Sequence, residues 1–276
     1  MLPVQKKRIL LIHYLSSNMK IIIAGYGFVG KAVATAIDKT NTVYVVDPKI
    51  STQTVKDYPD ADGVIICVST PSTVLGDCDT SQIYDVMDQT PSHIPVLIKS
   101  TVRPDYLNKL VKDYPNHKIC YSPEFLRAAT ADQDFANQQN MILGGDDPNG
   151  FWHSLFRQSL PKLKTAFYCT LGEAAMMKYT INAFLSIKVT FFNQLYDMCQ
   201  ADNIDYATVV GLLQLDDRIG RSHMQVPGPD GARGFGGACF PKDINAFIQY
   251  ADKLSVSNTL VESAIKYNKK IRKTLT

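Results

Sequence analysis

The chain has 276 residues, long for one domain and comfortable for two, since domains cluster near ~100–150 residues. Its 45% apolar content can supply a sizeable core, and 29 basic against 26 acidic side chains leave a formal charge of +3. That balance excludes a strongly basic nucleic-acid binder and an acidic disordered tail, and no run approaches the ~18 apolar residues of a membrane span, so neither nucleic acid nor membrane is an expected partner.

Residues 5–15, QKKRILLIHYL, imitate a secretory signal, with a basic start and a short apolar stretch. His13 interrupts that stretch and no A-x-A-like site follows. Met19 stands directly before KIIIAGYGFVG, so residues 1–18 read as an upstream extension outside the fold. From residue 20 to 169, β-type runs alternate with helical or turn-rich stretches. The runs are 20–25, 42–47, 63–69, 95–101, 118–123 and 141–145, and their near-continuous Val and Ile suit strands buried on both faces of a parallel sheet. Helix candidates lie between them at 30–39, 80–89 and 104–114. The alternation predicts an α/β doubly wound domain over 19–169, with the turn cluster GGDDPNG (144–150) near its close. From residue 170 to 276 the pattern is helical. Residues 173–202 hold no Pro or Gly, and 204–213, 245–254 and 257–274 follow. Between these helices, residues 226–241 (VPGPDGARGFGGACFP) carry five glycines and three prolines, and a loop of that length is more often functional than idle.

Three motifs carry chemistry. GYGFVG (25–30) matches G-x-G-x-x-G between a strand and a helix. Gly25 allows the tight turn, Gly27 lets backbone approach a pyrophosphate, and Gly30 lets helix and strand pack closely; Phe28 and Val29 complete the loop. The helix amino terminus offers N–H groups and partial positive charge to phosphates. Asp47 ends the second strand, where a carboxylate binds a ribose hydroxyl pair and disfavours a 2′-phosphate, so NAD is expected in preference to NADP. GFGGACFPKD (234–243) places Cys239 after a glycine-rich stretch and two residues before Pro241, which suits a helix start. A thiol there, with Lys242 close in sequence, could attack a carbonyl, and Asp243 four residues on could flank the same pocket. Residue chemistry alone leaves Cys239 open between a nucleophile and the small buried thiol expected at Cys67, Cys120, Cys169 and Cys199. None of the six cysteines forms a CxxC pair, which fits reduced thiols in a cytoplasmic protein and no metal site. On the long helix, Lys178 and Asn182 are four apart and share a face. They suit an oxyanion site, but residue chemistry alone favours a snorkelling lysine beside a surface asparagine.

GYGFVG (25–30), CVSTP (67–71), KSTV (99–102), SPEFLRA (122–128), KYTINAFLSIK (178–188), DDRIG (216–220) and GFGGACFPKD (234–243) stand in the order and spacing of the UDP-glucose 6-dehydrogenase family. That family includes the GDP-mannose and UDP-N-acetylhexosamine 6-dehydrogenases, and the chain resembles it from Met19 onward. The resemblance implies a Rossmann-like doubly wound parallel sheet followed by an all-helical dimerisation domain, hence a homodimer with a nucleotide-sugar substrate. It implies oxidation of a sugar C6 alcohol to a carboxylate through a cysteine thioester, with two NAD reduced. Carried over by motif, Cys239 is the nucleophile and Glu124 handles water in thioester hydrolysis. Lys178 and Asn182 hold the oxyanion, and Asp243 serves proton transfer with Thr101 and an ordered water. Thr70 and Thr101 line the nicotinamide side and Lys242 approaches the cofactor. Phe125, Leu126 and Arg127, with the loop of Phe235, Gly236 and Gly237, contact the sugar. Arg218 resembles an arginine sent across a dimer interface.

Three departures accompany the resemblance. SPEFLRE is usual where this chain ends the motif in Ala128, and a glutamate is usual three residues before the helix lysine, where this chain has Ala175. Family members also continue into a third, nucleotide-gripping domain, whereas this sequence stops at Thr276. No residue present then selects the nucleotide; UDP-glucose is the sugar expected first, with GDP-mannose and UDP-N-acetylmannosamine as alternatives. A non-catalytic NAD-binding dimer is the competitor outside enzymes.

Overall fold

Strand β1 (Lys20–Ala24) explains the architecture of the first half. Its side chains alternate between two faces. Ile21 and Ile23 enter one apolar cluster, while Ile22 and Ala24 enter another. The alternation repeats in β3 (Gly63–Ile66), β4 (Val96–Ile98) and β5 (Ile119–Tyr121): Ile65, Leu97 and Cys120 join the first cluster, their flanking residues the second. A sheet apolar on both faces needs helices on both. Helices α1 (Phe28–Ile37), α4 (Ala131–Ala136) and α5 (Phe151–Ser159) cover the first face through Val33, Phe135, Trp152 and Phe156. Helices α2 (Ser81–Met87) and α3 (Pro104–Asp113), with the start of α6 (Leu171–Ala201), cover the second through Ile83, Leu107 and Ala174. Each fully buried side chain of this size contributes about 1.5–3 kcal/mol relative to exposure, so the two clusters carry the domain.

The computed structural model describes residues 18–74, 76–127 and 130–272. The expected extension falls outside them apart from Asn18, as does Ala128. The sheet adds β2 (Thr42–Val46), β6 (Asn140–Gly145) and β7 (Thr165–Cys169), in the order β2-β1-β3-β4-β5-β6-β7. All neighbours are parallel except β5 with β6. Thus the Rossmann-like sheet has one antiparallel junction that the sequence does not predict, because a buried apolar run reads alike in either direction. β7 and helices α4 and α5 were also outside the predicted elements. Succession reverses at β1, with β2 on one side and β3 on the other, which places a crevice beyond the carboxyl ends of these strands.

The chain divides into two compact units. One comprises the residues up to Pro71 with Cys78–Lys178; the other comprises Ser72–Asp77 with residues 179 onward. The second unit is helical. After α6 come α7 (Tyr206–Leu213), α8 (Phe240–Lys253) and α9 (Thr259–Ile271). Asp205 caps α7, its carboxylate accepting from the N–H groups of Ala207 and Thr208. Phe192, Cys199, Tyr206 and Met224 form one cluster, and Phe235, Ile244 and Val261 another. Helix α8 starts five residues ahead of the predicted 245–254 segment, with Pro241 in its first turn. Among the described residues no helix is long and apolar enough to cross a membrane.

Candidate active site

In the first unit, the turn after β1 forms a cradle. Gly25 has φ +90°, and a Cβ on it would lie 2.6 Å from Val68 N, so only glycine suits the turn. Gly27 precedes α1 as its N-cap with no side-chain cap, and a Cβ there would meet nothing within 4 Å. The loop is therefore open where a phosphate would approach backbone N–H groups. Asp47, just past β2, accepts hydrogen bonds from Tyr26 N at 2.7 Å and Lys49 N at 2.9 Å. These fix the carboxylate beside the loop, and its remaining lone pairs suit ribose hydroxyls. Phe28 is exposed and Val29 half-buried.

Beyond the ends of β4 and β5, Glu124 is buried. Its Oε1 accepts from the Lys99 ammonium, which also donates to Ser122 Oγ at 3.3 Å and Ser122 O at 3.4 Å. Burial pushes the Glu124 carboxyl above the usual carboxylate range, against the pull of Lys99 and then Lys178. Lys178 Nζ donates to Glu124 O at 2.8 Å and lies 5.5 Å from the ring centre of Phe125, which is 44% exposed. Thr70 Oγ1 donates to Thr101 O at 2.9 Å, so these two threonines are brought together. Leu126 packs on the sheet core, and Arg127 is held by Asp134 at 2.6 Å.

In the second unit, Cys239 is the N-cap of α8 and the one exposed cysteine of the six. Asp243 follows one turn later, only 1% exposed. Its Oδ2 accepts from the Asn182 amide at 2.5 Å and its Oδ1 from Lys242 Nζ at 2.6 Å, so those three predicted residues meet. The Phe235 ring is in the core, and its backbone N–H and C=O are paired with the Asn268 side chain at 2.7 and 3.0 Å. Gly236 and Gly237 line a cavity of about 300 Å³ with Pro241, Asn245 and Lys269. Arg218 is exposed and chelated by Asp216.

Comparison with known proteins supplies the family. Residues 48–158 match the NAD binding domain of the UDP-glucose/GDP-mannose dehydrogenase family, and residues 172–270 match its central domain. The chain belongs to this family. It is 30% identical over 224 residues to the UDP-glucose 6-dehydrogenase of Rickettsia typhi, covering 77% of this chain and 50% of that protein. Against the Campylobacter jejuni UDP-glucose 6-dehydrogenase it is 28% identical over 297 residues, covering 94% and 74%. The chain spans about half the length of the rickettsial relatives it matches. A UDP-glucose dehydrogenase from Pyrobaculum islandicum shares the fold with a TM-score of 0.81 at 22% identity, over 94% of this chain and 70% of that one. A UDP-D-ManNAc dehydrogenase from Pyrococcus horikoshii gives 0.75 at 19%, over 92% and 69%.

The cofactor expectation of NAD agrees with this family's NAD-binding domain, and the open Gly27 turn with Asp47 beside it fits a dinucleotide. Several residues that hold the predicted ones or their segments in place were not among those predicted. Lys99 holds Glu124. Asn193 accepts from Gly234 N at 3.1 Å, and Asn268 clamps Phe235, so two buried asparagines fix the glycine-rich loop. Lys188 donates to Ile219 O at 2.9 Å and braces the segment bearing Arg218. The available signal was polar residues at apolar helix or strand positions, which need an internal partner when buried.

Proposed function

We infer that this chain is the NAD-binding and central part of an enzyme that oxidises the C6 alcohol of a nucleotide sugar, UDP-glucose foremost, to the carboxylate. The observation that carries this reading is Cys239: it is exposed at the head of α8, one turn before buried Asp243 with its two donors, while the other cysteines are buried or half-buried. The Gly25–Gly30 turn and Asp47 would hold NAD, which would supply the hydride acceptor for C6 in each of two oxidations. Asp243 takes the alcohol proton through water in the first. The Cys239 sulfur adds to the aldehyde carbon as a thiolate, giving the thiohemiacetal as an oxyanion, which becomes a thioester as its C–H leaves as hydride. The Lys178 ammonium and the second N–H of the Asn182 amide donate to the oxyanion. Glu124 takes a proton from water as the water oxygen bonds to the thioester carbon, and the C–S bond breaks to return the Cys239 sulfur. Burial raises the Glu124 pKa, which makes its carboxylate a stronger base for that role.

The same reading includes a homodimer. Phe184, Phe191 and Met198 stand seven residues apart along α6 and are each about 60% exposed, an apolar stripe that a second copy would bury. Unpaired thiols fit a reducing compartment, which supports a cytoplasmic location. The test is NADH formation with UDP-glucose, GDP-mannose and UDP-N-acetylmannosamine, together with intact-mass detection of an acyl adduct on Cys239. Two NADH per sugar with one of the three are expected. Neither NADH nor adduct with any of them would overturn the reading.

A further inference from the structure

Lys99 occupies a position that the sheet pattern would give to an apolar residue. Leu97, two residues earlier, packs in the face cluster that contains Phe135 and Phe156, and Lys99 follows on the same face. Its side chain is 1% exposed, and its ammonium lies 5.5 Å from the Phe135 ring centre and 5.2 Å from that of Phe156. Water is thus absent on one side, and the hydrogen bonds go to Ser122 and to Glu124 Oε1 on the other. Burying an ammonium costs several kcal/mol, and the cost is tolerated when the charge is paired and hydrogen-bonded. Among the described residues Glu124 Oε2 makes no hydrogen bond, so Lys99 occupies one oxygen and leaves the other available.

We propose that Lys99 is the positioning residue for Glu124: it keeps the carboxylate charged and in one orientation, with Oε2 directed to the attacking water. The proposal rests on the reading that Glu124 handles water in thioester hydrolysis. The other groups electrically coupled to this pair are Lys178 from α6, Cys67 just past β3 and Cys120 on β5. Burial pushes the Cys67 thiol up to about 12 and the Cys120 thiol well above its usual value, so both are neutral near pH 7. Lys178 spends a hydrogen bond on the Glu124 main chain and cannot take over the work at Oε1 without moving. Lys99 therefore controls the carboxylate through a direct contact, and Ser122 fixes where the ammonium sits.

The chain has three glutamates, Glu124, Glu173 and Glu262, so side-chain carboxyl ¹³C labelling gives three signals, and Glu124→Gln identifies the one of interest. Lys99→Met and Lys99→Gln are titrated by NMR beside the wild type. Losing a positive charge in contact with the carboxylate should raise the Glu124 midpoint by at least about one pH unit, and Lys99→Arg should restore it. A midpoint unchanged in both neutral variants would overturn the proposal. The glutamine variant keeps a hydrogen-bond donor and covers the case in which methionine does not fold. In parallel, decay of the Cys239 acyl adduct is followed against pH, and its acidic limb should move with the NMR midpoint. If the midpoint moves and the limb does not, or no adduct forms, the role of Glu124 in hydrolysis falls while the hold of Lys99 on Glu124 stands.

Discussion

Two glycines of the nucleotide turn, three residues apart, should respond to alanine in opposite ways. A Cβ on Gly30 would lie 2.0 Å from Gly25 O and 3.3 Å from Cys67 Cβ. Gly25 O cannot retreat easily, because Gly25 holds a φ of +90° with no room for a Cβ beside Val68 and Cys67. Overpacking of this kind costs about 1–3 kcal/mol. Alanine in a helix recovers about 0.5–1 kcal/mol relative to glycine. A 2.0 Å approach to a backbone oxygen calls for the upper end of the first range, so a net loss of about 2 kcal/mol should lower Tm by roughly 4–8 °C in a protein of this size. Gly27→Ala meets open space, so its cost is limited to a poorer N-cap, at most about 1 kcal/mol. Its methyl group instead stands where a pyrophosphate would meet the backbone. NAD binding should weaken at least about ten-fold, or about 1.4 kcal/mol. Scanning calorimetry and NAD titration on both variants separate the two effects. Full NAD affinity in Gly27→Ala, or an unchanged Tm in Gly30→Ala, would refute the reasoning.

Asp47 should make NAD bind at least about ten-fold tighter than NADP, and Asp47→Ser should narrow the gap; equal affinities in the wild type would remove its assignment. Iodoacetamide at pH 8 should label exposed Cys239 first and leave Cys67 protonated and unreacted, since burial holds the Cys67 thiol near 12, well above the assay pH; peptide mapping that finds Cys67 modified first would contradict this. Sedimentation should find a dimer, and Phe191→Asp should yield monomers by placing a charge in the α6 stripe; a monomeric wild type would dismiss the stripe as an interface.

The first domain was legible because its strands are buried on both faces, and such strands must be runs like KIIIA and GVII. β7, TAFYC, escaped because it is half-buried throughout and lacks that run. The glycine turn and Asp47 could be brought together from spacing alone, since the turn and the carboxylate lie close in sequence at the ends of neighbouring strands. Lys99 and Glu124 are 25 residues apart and meet only because β4 and β5 are neighbours. Asn193 and Asn268 are likewise joined to the loop at 233–235 by helix packing. Their partners are fixed by tertiary structure, and a single lysine or asparagine in an apolar stretch announces a buried contact without naming it.

Around Glu124 the charges do not cancel. Lys99 and Lys178 bring two positive charges, and Glu124 brings one negative, so the group is net positive by one. The resemblance expects a further carboxylate three residues before Lys178, but Ala175 there is fully buried in the sheet cluster, where an added charge would have to be paired or neutralised. With alanine at that position, Lys99 still meets the Glu124 side chain, as well as Ser122, and Lys178 meets the Glu124 main chain. A fixed positive excess in a site partly closed to water favours any step that creates negative charge there, since the donors are already oriented before that charge appears. Under the proposed function, thioester hydrolysis is such a step. In the proposed reaction it needs a carboxylate that stays ionised in spite of burial, which Lys99 would support, and an oxyanion stabilised as it forms, which would fall to Lys178 with Asn182.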